Sequence, residues 1–217
     1  MTIVLAGGGL KAGVSAARYA KMGQVVLLHV DFGQPSWPAE QQGITALARS
    51  LGCTTVQATV APDAATCGGR LSTPPPATAA VITVILSIGV QCAMRLGGSK
   101  VVVGLSALTD SLSVGLPILE GRPQRTREFT HSYNLMLEAL LVQRPAIRVE
   151  APLMDTEYAE VVRAAFHFEL PVAKLWTCET AGPDACRQCP PCRARARAFA
   201  DARRVDPLYV RTAPRGR

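Results

Sequence analysis

The sequence is short of charge, of histidine and of aromatic rings. Asp, Glu, Lys and Arg make up 18% of its 217 residues and Phe, Trp and Tyr 5%, against 48% hydrophobic side chains. Disorder requires the opposite balance, few apolar residues under high net charge, so a folded chain is expected. Histidine occurs only at His29, His131 and His167, each isolated in the sequence. Core or surface positions are expected for all three, and no histidine-based catalytic set can be read. No apolar run is both long and clean enough to cross a bilayer. The nearest, Ala79–Met94, is broken by Thr83, Ser87, Gly89 and Gln91 and is too short. Met1–Leu5 enters a strand pattern with no basic leader before it, which predicts a cytoplasmic protein with no membrane partner. There is no internal repeat and no linker between full domains. The length suits one well-cored domain with a small appendage.

What the chain does have is cysteine concentrated in one place. Four of its seven cysteines fall at Cys178, Cys186, Cys189 and Cys192, just after Trp176. Two successive C-x2-C steps bring three sulfurs to one side of a tight knuckle. A fourth returns from a loop carrying Gly182 and Pro183. Such a set suits Zn2+, a tetrahedral, borderline-soft ion without redox chemistry. The alternatives are two disulfides, disfavoured without a signal peptide, or buried free thiols. Four thiolates leave no position open for water, so the site is read as structural and not catalytic.

The net charge of +7 sits at one end. From Arg187 to Arg217 there are nine Arg and two Asp, and the other 186 residues balance. A basic cluster of this kind can bind phosphate or nucleic acid. No aromatic residue interleaves with it beyond Phe199, and 19 Arg against 4 Lys marks a compositional bias. Arg193, Arg195, Arg197, Arg203 and Arg204 are therefore read as a solvated helix face, with nucleic acid an unlikely partner.

The first 60 residues alternate strand and helix: strand Thr2–Ala6, glycines 7 to 9, helix Val14–Met22, strand Gln24–Asp31, helix Pro38–Leu51 stopping near Gly52, strand Thr54–Val60. Ala61–Pro76 reads as a loop and Ala77–Leu96 as a long apolar helix. Strand Lys100–Leu105, an irregular Thr109–Arg125, helix Glu128–Leu141 and strand Ile147–Ala151 follow. A helix Thr156–Phe168 capped by Thr156, the cysteine segment and a helix Arg193–Arg203 complete the pattern. The expectation is an α/β fold with a doubly wound parallel five-stranded sheet between helices, residues 1–170, and a zinc-binding C-terminal segment, residues 171–217, packed on it. Such sheets bind ligands at the carboxyl ends of their strands. That edge holds Gly7–Ala12 and, as candidate ligand contacts, Asp31, Gln34, Ser106 and Asp110. Gly7, Gly8, Gly9, Leu10 and Lys11 are the candidate nucleotide-binding residues, since glycines before a helix let a phosphate approach backbone N–H groups. The turn is not a Walker loop, because it lacks the G-K-[ST] ending.

The chain resembles the 7-cyano-7-deazaguanine synthases of queuosine biosynthesis, in the PP-loop ATP pyrophosphatase superfamily with its adenine nucleotide alpha-hydrolase-like fold. Leu28–Gln34 is similar to the family's second strand with its aromatic-Gly-Gln ending. Ala151-Pro152-Leu153 with Thr156 and Ala159–Val162 is similar to its helix before the metal segment. Leu175–Cys178 with Cys186, Cys189 and Cys192, and the Arg193, Ala198-Phe199 and Asp206-Pro207 ending, are similar to its zinc signature. The resemblance implies ATP- and Mg2+-dependent activation of 7-carboxy-7-deazaguanine, attack by ammonia to give an amide, and a second activation that yields the nitrile. It also implies a structural Zn2+ and a homodimer.

Three stretches differ from the family pattern. Its S-G-G-x-D-S loop is here Gly7-Gly8-Gly9-Leu10-Lys11-Ala12, a degraded phosphate loop with both hydroxyls gone and the acid replaced by a cation. The Arg and Asn of its P-x-R-N segment become Thr78 and Ala79. The acidic, cysteine-containing substrate segment becomes Gln124-Arg125-Thr126-Arg127. Lys11 near a helix N-terminus opposes the macrodipole unless an anion lies between, and it is expected to point to solvent. Two readings follow: a divergent, ATP-dependent carbon–nitrogen ligase of the family, or a catalytically inactive, zinc-stabilised relative that serves as a deazapurine- or nucleotide-binding or assembly subunit.

Overall fold

The computed structural model describes residues 1–60, 79–106, 127–141, 146–180 and 182–210, with the side chains of 79–81 left out. The loop expected at 61–76, Thr78, the irregular stretch 109–125 and the candidate Asp110 lie outside the described residues.

Five parallel strands form one sheet: β1 (Thr2–Leu5), β2 (Val25–Asp31), β3 (Thr54–Thr59), β4 (Lys100–Val103) and β5 (Arg148–Glu150), in the order β3-β2-β1-β4-β5. The chain winds outward from β1 through β2 to β3, then crosses back to β4 and β5. The carboxyl ends of β1 and β4 therefore face the point where strand order reverses. Registers such as Leu5 opposite Leu28 and Leu5 opposite Val103 set those ends level.

Alternation along the strands divides the core into two faces. Val4, Leu27 and Val102 point to one side, where α1 (Leu10–Ala20), α2 (Trp37–Leu51), α5 (Tyr158–His167) and the C-terminal α6 (Pro190–Asp201) pack. Ile3, Leu5, Leu28 and Val101 point to the other, under α3 (Ala79–Leu96) and α4 (Arg127–Leu140). At the β5 edge the side-chain amide of Asn134 takes the place of a sixth strand. It accepts from Val149 N at 2.8 Å and donates to Val149 O at 2.9 Å, which covers an edge open to mispairing.

Three helix starts differ from expectation. α1 begins at Leu10, directly after Gly9, four residues before the predicted Val14. Its Gly13 fits there because a Cβ would meet Leu170 and Leu175 side chains at 3.2 and 3.3 Å. Thr156 does not cap α5. Its N–H is already used in a turn to Leu153 O, and the helix starts two residues on, after Glu157. α6 opens at Pro190, where the missing proline N–H costs nothing. By contrast, α2 ends where expected, with Gly52 in the left-handed conformation at φ 64°.

The largest departure is Arg195, read as part of a solvated face but 0% exposed. Its Nε and Nη2 donate to the two carboxylate oxygens of Asp206 at 2.6 and 2.8 Å. Nη1 donates to Leu175 O at 2.5 Å and Thr177 Oγ1 at 3.0 Å, and Nη2 also to Val172 O at 3.2 Å. The guanidinium lies over the Phe199 ring. Arg193 and Arg197 remain exposed, as expected.

A buried charge left without its partner is costly, whereas losing both partners together costs less. Asp206→Ala is expected to lower unfolding stability by about 3–5 kcal/mol in denaturant titration. The double change Arg195→Met with Asp206→Leu is expected to recover part of the loss. Equal stability of Asp206→Ala and the parent would show the pair to be dispensable.

Candidate functional site

The glycine turn joins β1 to α1 at the carboxyl edge. Gly8 has φ 69°, and a Cβ there would lie 2.7 Å from Glu40 O, so only glycine fits. Gly8 O accepts the N–H of Trp176 at 2.9 Å. Gly43 of α2 sits so close beneath that its Cβ would be 2.9 Å from both Gly8 O and Lys174 O. The turn is thus pinned by backbone from α2 and from the segment preceding the cysteines. Gly7 alone has open space on its Cβ side. Gly9 is the N-cap of α1 and supplies no side-chain cap.

Lys11 does not point to solvent. Its ammonium lies 5.2 Å from the centroid of the buried Tyr158 ring, and its Cβ side packs on Gly104 after β4. Its charge is thereby directed to α5.

Beside Gly7 opens a cavity of about 240 Å³, walled by Leu5, Leu28, Val30, Phe32 and Ile85, with His29, Gln34 and Glu40 as its polar lining. Of the predicted contacts, Gln34 is here but engaged. Its Nε2 donates to Glu40 Oε2 at 2.9 Å and Val30 O at 3.3 Å, and its Oε1 accepts from Phe32 N. Asp31 folds back to accept from Gly33 N at 2.9 Å. Ser106 is fully buried, and its hydroxyl donates to Thr156 O at 3.1 Å. Gln34 and Asp31 therefore shape the rim, and Ser106 ties the end of β4 to the turn before α5.

His29 is buried, a core position as expected for a histidine read as non-catalytic, and it also lines this cavity. It is 5% exposed and stacked on Trp37, with ring centroids 4.3 Å apart and planes 12° apart. Nδ1 lies 2.6 Å from Ala6 O, and since a carbonyl only accepts, Nδ1 carries the proton. Nε2 lies 3.4 Å from Glu40 Oε2. Removal from water lowers the imidazole pKa, opposed by the Ala6 bond and the nearby acids. A histidine two residues before a strand's carboxyl end, facing an acid in the next helix's first turn, was the signal available in the sequence.

The four predicted metal cysteines do come together: their Sγ atoms all lie within 4.8 Å of one another. Backbone N–H groups aim at the sulfurs. Gln188 N and Cys189 N reach Cys186 Sγ at 3.5 and 3.3 Å, while Thr180 N and Cys186 N reach Cys178 Sγ at 3.5 and 3.3 Å. Such donors stabilise thiolate, and they bring the Cys186 thiol down to about 6. Burial instead pushes the Cys192 thiol up to about 12 and raises that of Cys189. The buried sulfurs need a cation to ionise, and a thiophilic metal ion held by the four cysteines would supply it. The donor set fits such an ion, and α6 carries Cys192 in its first turn while its Arg195 is clamped to Leu175 and Thr177.

The fold and cluster define an α/β protein with a five-stranded parallel sheet and a four-cysteine segment able to hold a metal ion. A solved structure, the U34-tRNA thiolase NcsA from Methanococcus maripaludis with its [4Fe-4S] cluster, matches 92% of this chain and 63% of its own, with TM-score 0.51 and 15% identity, which shows the fold alone. The family model "Queuosine biosynthesis protein QueC" matches residues 79–203. A 7-cyano-7-deazaguanine synthase of Methanothrix thermoacetophila is 29% identical over 94% of this chain and 96% of its own. One of Chlorobium phaeobacteroides is 26% identical over 98% and 97%. The chain belongs to this 7-cyano-7-deazaguanine synthase family.

Separate Cys186→Ser and Cys192→Ser proteins are expected to retain well under half of about one metal ion per chain, by elemental analysis after gel filtration. They should melt about 10 °C lower, as loss of about 3 kcal/mol implies at this size. Full metal content in both would contradict the four-thiolate assignment.

Proposed function

We propose that this chain is a divergent homologue of the synthases that keeps a purine-binding edge and a structural Zn2+ but has lost ATP cleavage. The observation that carries the reading is the turn Gly7–Ala12. Where the family pattern has two hydroxyls and an acid, this turn offers backbone N–H groups at an uncapped helix start. A phosphate held by backbone alone lacks the side-chain donors that would stabilise charge moving onto pyrophosphate. Lys11 does not replace them, because its ammonium lies against Tyr158. Gly7, Gly8, Gly9, Leu10 and Lys11 are on this reading a remnant nucleotide turn beside the cavity.

Zn2+ is supported by four thiols in mutual reach and by N–H donors aimed at their sulfurs, a closed tetrahedral set. The described part of the C-terminal segment, up to residue 210, acts as a metal-held unit packed on the sheet's helices, and a cytoplasmic homodimer is carried over with the family resemblance. Among the described residues no helix is long and apolar enough to cross a membrane.

The opposing reading, a working ligase, is favoured by similarity to named synthases over nearly the whole chain. Metal-loaded protein given 7-carboxy-7-deazaguanine, ammonium and ATP–Mg2+ is expected to yield neither amide nor nitrile above a protein-free control, by mass spectrometry. Formation of the nitrile would overturn the proposal in favour of the ligase.

A further inference from the structure

The polar wall of the cavity has an unusual feature: two hydrogen-bond acceptors face one another with no donor between them among the described residues. Nδ1 of His29 holds its proton against Ala6 O at 2.6 Å, which leaves Nε2 as the ring's acceptor. That atom is buried and makes no hydrogen bond among the described residues. Its nearest polar neighbour is Glu40 Oε2 at 3.4 Å. Glu40 is itself held as an acceptor, taking Ser36 Oγ at 2.6 Å on one oxygen and Gln34 Nε2 at 2.9 Å on the other. Neither group can easily turn away. The imidazole is fixed by Ala6 and by the Trp37 stack, and the carboxylate by its two donors.

A proton on Nε2 would convert the pair into an ion pair, but the ring is 5% exposed, and burial works against its charged form. A buried acceptor without a donor is a standing cost. A donor arriving with a ligand removes it. An –NH2 group offers two hydrogens from one atom, one for each acceptor. A carbonyl in the same place would set a third acceptor against the two. Apart from Gln34, whose amide is engaged with Glu40, Val30 O and Phe32 N, the side-chain walls are the apolar Leu5, Leu28, Val30, Phe32 and Ile85, which suit a flat ring and not a hydrated cation.

We propose that His29 and Glu40 form a two-acceptor reader for the exocyclic amine of a flat nitrogen heterocycle bound in the cavity beside Gly7. This rests on the reading of the carboxyl edge as a purine-binding site and adds what selects the purine. The pair acts on specificity and takes no part in bond making.

Calorimetric titration of the metal-loaded protein with adenosine, guanosine and inosine separates the two layers, because inosine lacks the amines that the other two carry. At least one amine-bearing nucleoside is expected to bind about tenfold or more tightly than inosine. In Glu40→Gln the difference should fall to about twofold, since the new amide can donate to Nε2 in the ligand's place. Unchanged metal content and Trp37 emission would show that this variant is folded. A measurement on the parent protein needs no variant. The 15N resonance of His29 Nε2 should move from that of a bare ring nitrogen to that of a hydrogen-bonded one on adding the tighter nucleoside, and stay put with inosine. Equal binding of all three nucleosides would overturn the amine reader while leaving a purine site. Binding of none would overturn both.

Discussion

The guanidinium of Arg195 makes five hydrogen bonds inside the protein, and the geometry of both sites runs through them. Two go to Asp206, beyond the end of α6. The other three reach Val172, Leu175 and Thr177, in the stretch just before the first metal cysteine. Trp176 lies within that stretch, and its N–H holds Gly8 O at 2.9 Å. One side chain on the cysteine-bearing helix therefore fixes the segment that presses on the glycine turn. Residues about 170 positions apart in sequence become one mechanical unit.

That arrangement explains how a turn with no side-chain cap at its helix start keeps its shape. Gly8 is shaped by Glu40 backbone beneath it, by Gly43, and by Trp176 above. None of these supports comes from the side chains of Lys11 or Ala12. The metal segment supports the turn without taking part in chemistry there.

Much of this was legible from the sequence, for identifiable reasons. The strands show as short apolar or β-branched runs, and the cysteine spacing is local, so both the sheet and the sulfur cluster could be expected residue by residue. Arg195 could not. An arginine among alternating Arg and Ala reads as solvated, and only partners 11 to 23 residues away in sequence make its burial possible. The start of α1 was missed because glycine and lysine weaken the helical pattern that Leu10 in fact opens. Thr156 looks like a cap because its residue type is right, but the helix starts one residue too late for it, with Glu157 at the N-cap. His29 was dismissed as isolated because its partner, Glu40, comes from the next helix, and its pairing depends on the turn through Gln34 and Ser36.

The central claim is that the metal segment and the glycine turn are mechanically coupled through Val172–Thr177. Amide hydrogen exchange, read on the peptide spanning Gly8–Gly13 before and after removal of the metal by a chelator, tests it most directly. Coupling predicts that exchange at this peptide accelerates together with that of the cysteine segment, while the β2–β3 strands stay protected. Faster exchange confined to residues beyond 176, with the glycine turn unchanged, would contradict the account.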